Sequence, residues 1–166
     1  MRTRRLVGEP LAAAHVTDLV RLHSDPVVMQ TMGGSWASSR TEEWIERQIQ
    51  LQRRWGHGVW LFRLATSGIP VGRGALRHVL IEDEDEVEVG YVVFREFWNQ
   101  GLATEIASAL AELAFDHLGR DNVVAYTTPD NAASKRVMEK AGFAYERDFL
   151  DGDARRVLYR RLASVR

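Results

Sequence analysis

A change of pattern between residues 87 and 114 constrains the fold of this chain more than any other feature. Val87–Phe94 is rich in β-branched and aromatic residues and predicts a strand. After a break at Glu96–Gly101, apolar residues recur at helical spacing and form one stripe: Ala103, Ile106, Ala107, Leu110, Leu113 and Ala114. That spacing predicts a long helix that buries one face. A strand joined by a short loop to such a helix favours a layered fold in which helices cover a sheet.

The rest of the chain adds strands and helices on both sides of this unit. Helix patterns occupy residues 11–23, the stretch from Ser39 to Gly56, and Asn131–Ala141. Strand patterns occupy residues 3–8, 59–65, 70–80 and 122–127, and two closing strands flank the turn Asp151-Gly152. The order β-α-α-β-β-β-α-β-α-β-β combines meanders with a β-α-β-α unit. It therefore predicts an α+β fold with one mixed sheet.

Two local signals refine these boundaries. Ser39-Arg40-Thr41-Glu42 has the form of a capping box and predicts that the second helix begins near Ser39. The acidic run Glu82–Glu86 predicts a solvated hairpin tip that leads into the strand over Val87–Phe94. Such a run could instead attract a cationic substrate.

Length and charge exclude several classes of protein. No repeat or low-complexity linker interrupts the 166 residues, so we expect a single domain over residues 1–166. The 22 Lys and Arg residues nearly balance 23 Asp and Glu residues, giving a formal charge of −1. Since such a chain has no global field to draw it onto nucleic acid or an anionic membrane, we expect neither as a partner.

The residue types that are missing also exclude chemistry. The chain has no cysteine, which excludes disulfides, thiolate metal sites and a cysteine nucleophile. No apolar run approaches the roughly 18 residues of a membrane span, and the basic start leads into no signal-peptide stretch. We therefore expect a soluble, cytoplasmic protein.

The loop that ends in Gly101 could hold an anion. A glycine lets the backbone approach a ligand closely because no Cβ intervenes. The first amides of the following helix have no partner inside it, so they can bind a group such as a pyrophosphate. By itself, this pattern is equally compatible with a tight structural turn. Asp130 and Asn131 likewise have an ordinary interpretation, as caps of the next helix.

Three segments taken together resemble the GNAT superfamily of N-acetyltransferases. They are Val87-Glu88-Val89-Gly90-Tyr91, then Phe97-Trp98-Asn99-Gln100-Gly101-Leu102-Ala103-Thr104-Glu105, and Pro129-Asp130-Asn131-Ala132-Ala133-Ser134 with Gly142-Phe143. The resemblance is greatest to the ribosomal-protein N-acetyltransferase branch, the RimJ/RimL type. It implies a three-layer fold whose central, mostly antiparallel mixed sheet is splayed around a coenzyme, and it implies acetyl-CoA as the cosubstrate.

The resemblance also implies which residues bind the coenzyme. The amides of Asn99, Gln100, Gly101, Leu102, Ala103 and Thr104 would hold the pyrophosphate, although Trp98 stands where the superfamily pattern has Arg or Gln. The pantetheine arm would lie along Val92, Val93 and Phe94, against a splay beside residues 122–127. Asn131 matches the asparagine that contacts the coenzyme from the last helix.

For catalysis, the resemblance implies direct attack of an amine on the thioester. Glu88 matches the glutamate that acts as general base in histone-type members, with Gly90 leaving room for the amine. Alternatively, Glu88 faces solvent or orients the amine. Met138 replaces the usual tyrosine, and thioether sulfur cannot donate a proton. Ser134 is the matching hydroxyl that could protonate the leaving thiolate, unless it is a simple surface serine.

The acceptor is left open by the sequence. A protein N-terminus, an aminoglycoside-like antibiotic, a polyamine and an amino acid are all compatible with the resemblance, and members are often homodimers. A non-catalytic acyl-CoA sensor is the alternative function. Trp36, Trp44 and Trp55 could line an acceptor pocket, although we favour their burial in and around the second helix.

Two further patterns are rejected. Gly72-Arg73-Gly74 hints at a dinucleotide fingerprint, but Arg77 occupies the third glycine position and no helix follows. The five histidines lack metal-ligand spacing, so we expect no metal site.

Overall fold

A computed structural model describes residues 1–164. The strands are β1 (Leu6–Pro10), β2 (Val59–Leu64), β3 (Pro70–Ile81), β4 (Glu84–Val93), β5 (Asn122–Thr127), β6 (Ala144–Asp151) and β7 (Ala154–Leu162). The helices are α1 (Val16–Ser24), α2 (Ser38–Trp55), α3 (Leu102–Leu118) and α4 (Ala132–Lys140). Short 3₁₀ turns occupy Ala13–His15, Gln30–Met32 and Arg95–Phe97. The order of strands and α-helices is the predicted one.

The strands form one seven-stranded mixed sheet in the order β1-β2-β3-β4-β5-β7-β6. β1 with β2, β2 with β3, β5 with β7 and β6 with β7 are antiparallel pairs, whereas β4 and β5 run parallel. The predicted α+β class with a mixed, mostly antiparallel sheet is therefore confirmed. In the parallel pair of β4 and β5, Glu88 lies opposite Val124. Strand β5 pairs with β7 over its whole length, from Asn122 to Thr127.

The chain divides into two compact units that share β3 and β4. The first unit comprises Met1–Ala75 with Tyr91–Ala103, and the second comprises residues 76–90 with 104–164. The core of the first unit is built by residues of α1, α2, β2 and the end of β4 that exclude water from one another: Leu19, Leu22, Trp44, Ile45, Val59, Leu61, Val92 and Phe94. Burial of such apolar surface is the main force that holds this unit together.

The second unit has its own buried residues. Ile81, Val124, Phe149 and Leu158 form one cluster on its strands. The predicted stripe of α3 is buried here, with Ile106, Ala107, Leu110 and Ala114 at 0% exposure. The helical spacing of apolar residues therefore predicted the buried face of α3 correctly.

The capping box predicted at Ser39 is wrong. Helix α2 begins one residue earlier, at Ser38, and its N-cap Ala37 makes no side-chain cap hydrogen bond. The Thr41 side chain is fully buried, and its hydroxyl pairs with His23 Nδ1 at 3.2 Å. Thr41, which lies inside the motif, therefore makes a tertiary hydrogen bond that joins α2 to α1.

The acidic run is only partly a solvated tip. Glu82 and Asp83 form the turn, both with left-handed φ values of 51° and 68°, and β4 begins at Glu84. The Glu86 side chain points inward and is buried, and both its carboxylate oxygens accept from Arg160. The prediction is therefore wrong for Glu86, because both faces of β4 are covered from this residue onward and Arg160 of β7 supplies a cation.

Gly72 marks a close approach between β3 and β4. A Cβ at this residue would lie 2.2 Å from the carbonyl oxygen of Val92 and 2.8 Å from the Val93 Cα. Real side chains cannot tolerate such distances. The glycine in Gly72-Arg73-Gly74 therefore serves strand packing, and the fingerprint was rightly rejected.

Candidate active site

The loop before α3 has the backbone shape that its glycine allows. After the 3₁₀ turn Arg95–Phe97, Asn99 and Gly101 both adopt left-handed φ values, 60° and 73°. Asparagine and glycine are the residues that reach this region at least cost. Helix α3 then begins at Leu102, so the amides of its first turn lack partners inside the helix and are available to an anion.

Two side chains fix this loop, one to the end of β4 and one to the preceding 3₁₀ turn. The Trp98 indole Nε1 donates to the carbonyl of Val93 at 2.9 Å, and Gln100 Nε2 donates to the carbonyl of Glu96 at 2.9 Å. The tryptophan at the position of the superfamily Arg or Gln therefore holds the strand end, and it contributes no positive charge.

A cation reaches the loop from the start of the chain. Arg5, directly before β1, donates from Nη1 to the carbonyl of Gln100 at 2.9 Å. Its Nη2 lies 3.5 Å from the place that a Cβ on Gly101 would occupy. Arg5 was not predicted, because the basic start of the chain indicates charge but not a contact across 95 positions.

The predicted pantetheine strand is buried in the first unit. Val92, Val93 and Phe94 are 7%, 7% and 3% exposed. The Phe94 amide donates to the Val71 carbonyl at 2.9 Å, and the Arg21 guanidinium lies 4.1 Å from the Phe94 ring centroid. Val92 and Phe94 are core side chains, so a ligand along this strand would meet its backbone.

In the second unit, Glu88 is a buried carboxylate with a cationic partner. The residue is 4% exposed, and Arg77 donates from Nη2 to its Oε2 at 2.5 Å. Glu88 raises the pKa of the Arg77 guanidinium, so Arg77 remains charged. The alternative in which Glu88 faces solvent is wrong, since its side chain is 6% exposed and pairs with Arg77.

Gly90 leaves an open space beside this ion pair. A Cβ at Gly90 would lie 3.7 Å from Glu88 Oε1 and 3.9 Å from Arg77 Nη2, both ordinary contact distances. The oxygen that faces the space is the one that Arg77 does not use. We call this space, bounded by Glu88, Gly90 and Arg77, the Gly90 recess.

The hydroxyl of Tyr126 interacts electrostatically with both Glu88 and Arg77. Burial, followed by the charge of Glu88, raises its pKa to about 12, while the charge of Arg77 opposes the shift. Its ring contacts Phe149 edge to face, with centroids 5.4 Å apart. The phenol therefore stays protonated at neutral pH. Neither Arg77 nor Tyr126 carries a sequence motif, so both were missed.

The start of α4 is a well-formed helix cap. Asn131 Oδ1 accepts from the Ser134 amide at 3.1 Å, and Asn131 Nδ2 donates to Thr127 Oγ1 at 2.9 Å. The expected cap is thus present, and Ser134 is half-buried in its first turn. Met138 is 1% exposed, so the residue in the tyrosine position belongs to the core.

The predicted residues therefore fall into separate groups. The loop through Ala103 and the strand Val92–Phe94 belong to the first unit, whereas Thr104, Glu88, Asn131 and Ser134 belong to the second. Over residues 1–164, no helix is long and apolar enough to cross a bilayer. The same residues hold no group of three or more His, Cys, Asp or Glu side chains suited to a metal ion.

Comparison with known proteins gives a family match over most of the chain. Residues 5–144 match the family described as acetyltransferase (GNAT) domain. A relative from Aspergillus fumigatus, FsC-acetyl coenzyme A-N(2)-transacetylase, is 29% identical and is aligned over 91% of this chain and 67% of its own length.

Solved structures have the same fold. An acetyltransferase from Agrobacterium tumefaciens superposes with a TM-score of 0.85 at 26% identity, covering 98% of this chain and 94% of the other. An acetyltransferase from Salmonella typhimurium that modifies the N-terminal serine of a 50S ribosomal subunit protein gives a TM-score of 0.79 at 20% identity, covering 98% and 97%. At 20% identity, the second likeness concerns the fold alone.

Proposed function

Because this chain belongs to the GNAT acetyltransferase family, we propose that it transfers the acetyl group of acetyl-CoA to a primary amine by direct attack in a ternary complex. The family match over residues 5–144 is the observation that carries the proposal. The chain is thereby an acyltransferase of a family that uses acetyl-CoA. The choice of a primary amine and the direct mechanism are our own inferences.

We assign the coenzyme's pyrophosphate to the loop before α3. The left-handed φ of Gly101 and the position of the loop at the N-terminus of α3, where the first amides have no partner inside the helix, support this role. The adjacent Arg5 guanidinium supplies the charge that Trp98 lacks. Backbone groups of Val92–Phe94 would contact the pantetheine arm. Asn131 would contribute its second Oδ1 lone pair and its second Nδ2 hydrogen. The first lone pair accepts from Ser134, and the first hydrogen is donated to Thr127.

We assign to Glu88 the role of accepting the amine's proton. Acetyl-CoA supplies an activated acetyl thioester, which a neutral amine can attack. The buried Glu88 carboxylate is held by Arg77 through Oε2, so Oε1 can take a proton directly or through one water. Ser134 is our candidate donor to the departing thiolate, and a thiolate is stable enough to leave without one.

The experiment that tests this function measures thiol release from acetyl-CoA across a panel of amines. The absence of cysteine means that every thiol detected comes from the coenzyme. We expect release that depends on the amine, with intersecting initial-rate lines. Acetyl-CoA binding without release for any amine would favour the alternative of a non-catalytic sensor, and parallel lines or an acetylated protein would contradict direct transfer.

The acceptor could be a protein N-terminus or a small-molecule amine. The Salmonella protein with the same fold modifies an N-terminal serine, whereas the Aspergillus relative is named for transfer to an N(2) atom. We retain a single domain over residues 1–166 and a homodimer as proposals. Limited proteolysis and sedimentation would test these two proposals, respectively.

A further inference from the structure

The Gly90 recess presents two opposite charges to one small volume. Glu88 Oε1 lies 3.7 Å and Arg77 Nη2 lies 3.9 Å from the position that a Cβ on Gly90 would fill. Because Gly90 has no side chain, nothing of its own occupies this volume. A group that occupies this position therefore contacts both a carboxylate oxygen and a guanidinium nitrogen.

Both charged groups keep hydrogen-bonding capacity after they pair with each other. Glu88 uses Oε2 for Arg77 and presents Oε1 to the recess. A guanidinium has five N–H donors, and one Nη2 hydrogen of Arg77 is used by Glu88. Among residues 1–164, the buried Arg77 Nε has no hydrogen-bond partner, and the Arg77 side chain is 38% exposed. A planar fork of this kind fits a carboxylate.

From this arrangement we propose that the acceptor is an amine that carries a carboxylate on the same carbon, that is, a free α-amino acid. Its nitrogen would face Glu88 Oε1, and its carboxylate would face Arg77. This proposal rests on the proposed function and narrows its substrate class. The Glu88–Arg77 pair is neutral as a whole, so a zwitterion adds matched charges and leaves the recess neutral.

The same charges disfavour the other acceptors that the sequence left open. A polyamine or an aminoglycoside would bring a second cation towards Arg77, and like charges in a partly buried site repel. A peptide N-terminus would present an amide carbonyl, which accepts hydrogen bonds but lacks the charge that a guanidinium pairs with best.

The chemical step conserves atoms and charge. The ammonium passes one proton to Glu88 Oε1, and the freed nitrogen lone pair forms the new N–C bond to the acetyl carbonyl carbon. The C–S bond breaks, and its electron pair leaves on the coenzyme sulfur as a thiolate. The nitrogen's second proton is lost to solvent or to the thiolate, and Glu88 returns its proton to water. No oxidant or reductant is required.

Matched acceptors test the proposal. Thiol release would be measured with each standard amino acid, with its α-amide, and with the amine that lacks the carboxylate. We expect kcat/KM for the best amino acid to exceed that of its amide and its amine by at least about tenfold, a typical effect of a charged hydrogen bond. Equal rates for all three would overturn the proposal, and equal rates for acid and amide would assign Arg77 to a peptide carbonyl instead.

Variants of Arg77 separate recognition from a structural role. We expect Arg77→Gln to remove the preference for the acid over the amide, and Arg77→Lys to restore part of it. A purely structural arginine would lower the rates of all three acceptors together, and that result would overturn the proposal. If wild-type protein binds acetyl-CoA but no amine releases thiol, the proposed function itself has failed. Thermal melts of both variants would confirm that they fold.

Discussion

Strand β3 carries two arginines, four residues apart, whose surroundings differ. Arg73 belongs to the first unit and is 5% exposed, with its guanidinium 4.8 Å from the Trp44 ring centroid. It donates from Nε to His23 Nε2 at 2.9 Å. Arg77 belongs to the second unit, pairs with the carboxylate of Glu88 and leaves 38% of its side chain exposed.

The partner decides what each arginine can do. Because Arg73 donates to Nε2, the His23 proton must sit on Nδ1 and point to Thr41 Oγ1, so the ring is neutral and both its nitrogens are used. Such a closed set of bonds can fix two elements together but cannot exchange a proton with a ligand. The Arg77–Glu88 pair keeps an unused oxygen towards the Gly90 recess. We therefore expect changes around His23 to affect stability and changes around Glu88 to affect turnover.

The largest effect should come from Glu88→Gln. Loss of a general base typically lowers kcat by ~10²–10⁴, and we expect that range here with nearly unchanged acetyl-CoA affinity. Steady-state kinetics and isothermal titration would measure the two quantities.

Glu86→Gln is the matched control, because Glu86 is also a buried carboxylate on β4 with an arginine partner, Arg160. We expect it to lower the melting temperature and leave kcat near the wild-type value. Normal turnover in Glu88→Gln would instead assign the base to water or to another residue.

A smaller effect, on binding alone, is expected from Gly101→Val. The added side chain would occupy the surface where the coenzyme approaches the loop, and valine is strained at a φ of 73°. We expect acetyl-CoA affinity to fall by at least ~10²-fold, or about 2.7 kcal/mol. Gly68→Val is the control, since Gly68 has a φ of 71° with open space around it. Equal affinity in the two variants would remove the loop from the coenzyme site.

The buried histidine should make stability depend on pH. Burial, then the charges of Arg73 and Arg40, lower the pKa of His23 to about 3. Between that value and the ordinary pKa near 6.5, the unfolded chain binds a proton that the folded one does not, so stability falls as the pH falls. We expect His23 to contribute a loss of about 1.4 kcal/mol between pH 7.5 and 5.5.

Urea unfolding of wild-type protein and of His23→Gln at both pH values would isolate this contribution, because the other histidines titrate in both proteins. An identical pH dependence in the two proteins would mean that His23 becomes protonated within the fold.

The smallest effect should come from Arg5→Gln. A half-buried guanidinium beside the loop should strengthen phosphate binding by up to about 1 kcal/mol, or roughly two- to fivefold in Kd. Salt should reduce this difference, because mobile ions screen the charge. Arg4→Gln, which changes the exposed neighbour, should leave Kd unchanged. An equal loss of acetyl-CoA affinity in the two variants would indicate that total charge, and not the position of Arg5, determines binding.

The sequence predicted the elements better than it predicted their partners. Apolar spacing and turn residues are local, so the order of strands and helices along the chain, the stripe of α3 and the cap at Asn131 followed from short segments. The partners of Glu88 and Glu86, and the contact of Arg5 with Gln100, depend on strands that meet only after folding. The error at Ser39 has a local source, since α2 begins at Ser38 with Ala37 as its N-cap and a sequence motif does not fix the first residue of a helix.

Gly72 has a consequence for how this chain can vary. A Cβ there would lie 2.2 Å from a main-chain oxygen of β4, and backbone atoms, unlike the end of a flexible side chain, cannot rotate away. Every other amino acid carries that atom, so even alanine must force the two strands apart. If residue 72 is randomised to all amino acids, we expect every variant that folds to have glycine at this position. Gly68 and Gly152 have open space around them but left-handed φ values of 71° and 60°, so they should accept asparagine or aspartate most readily.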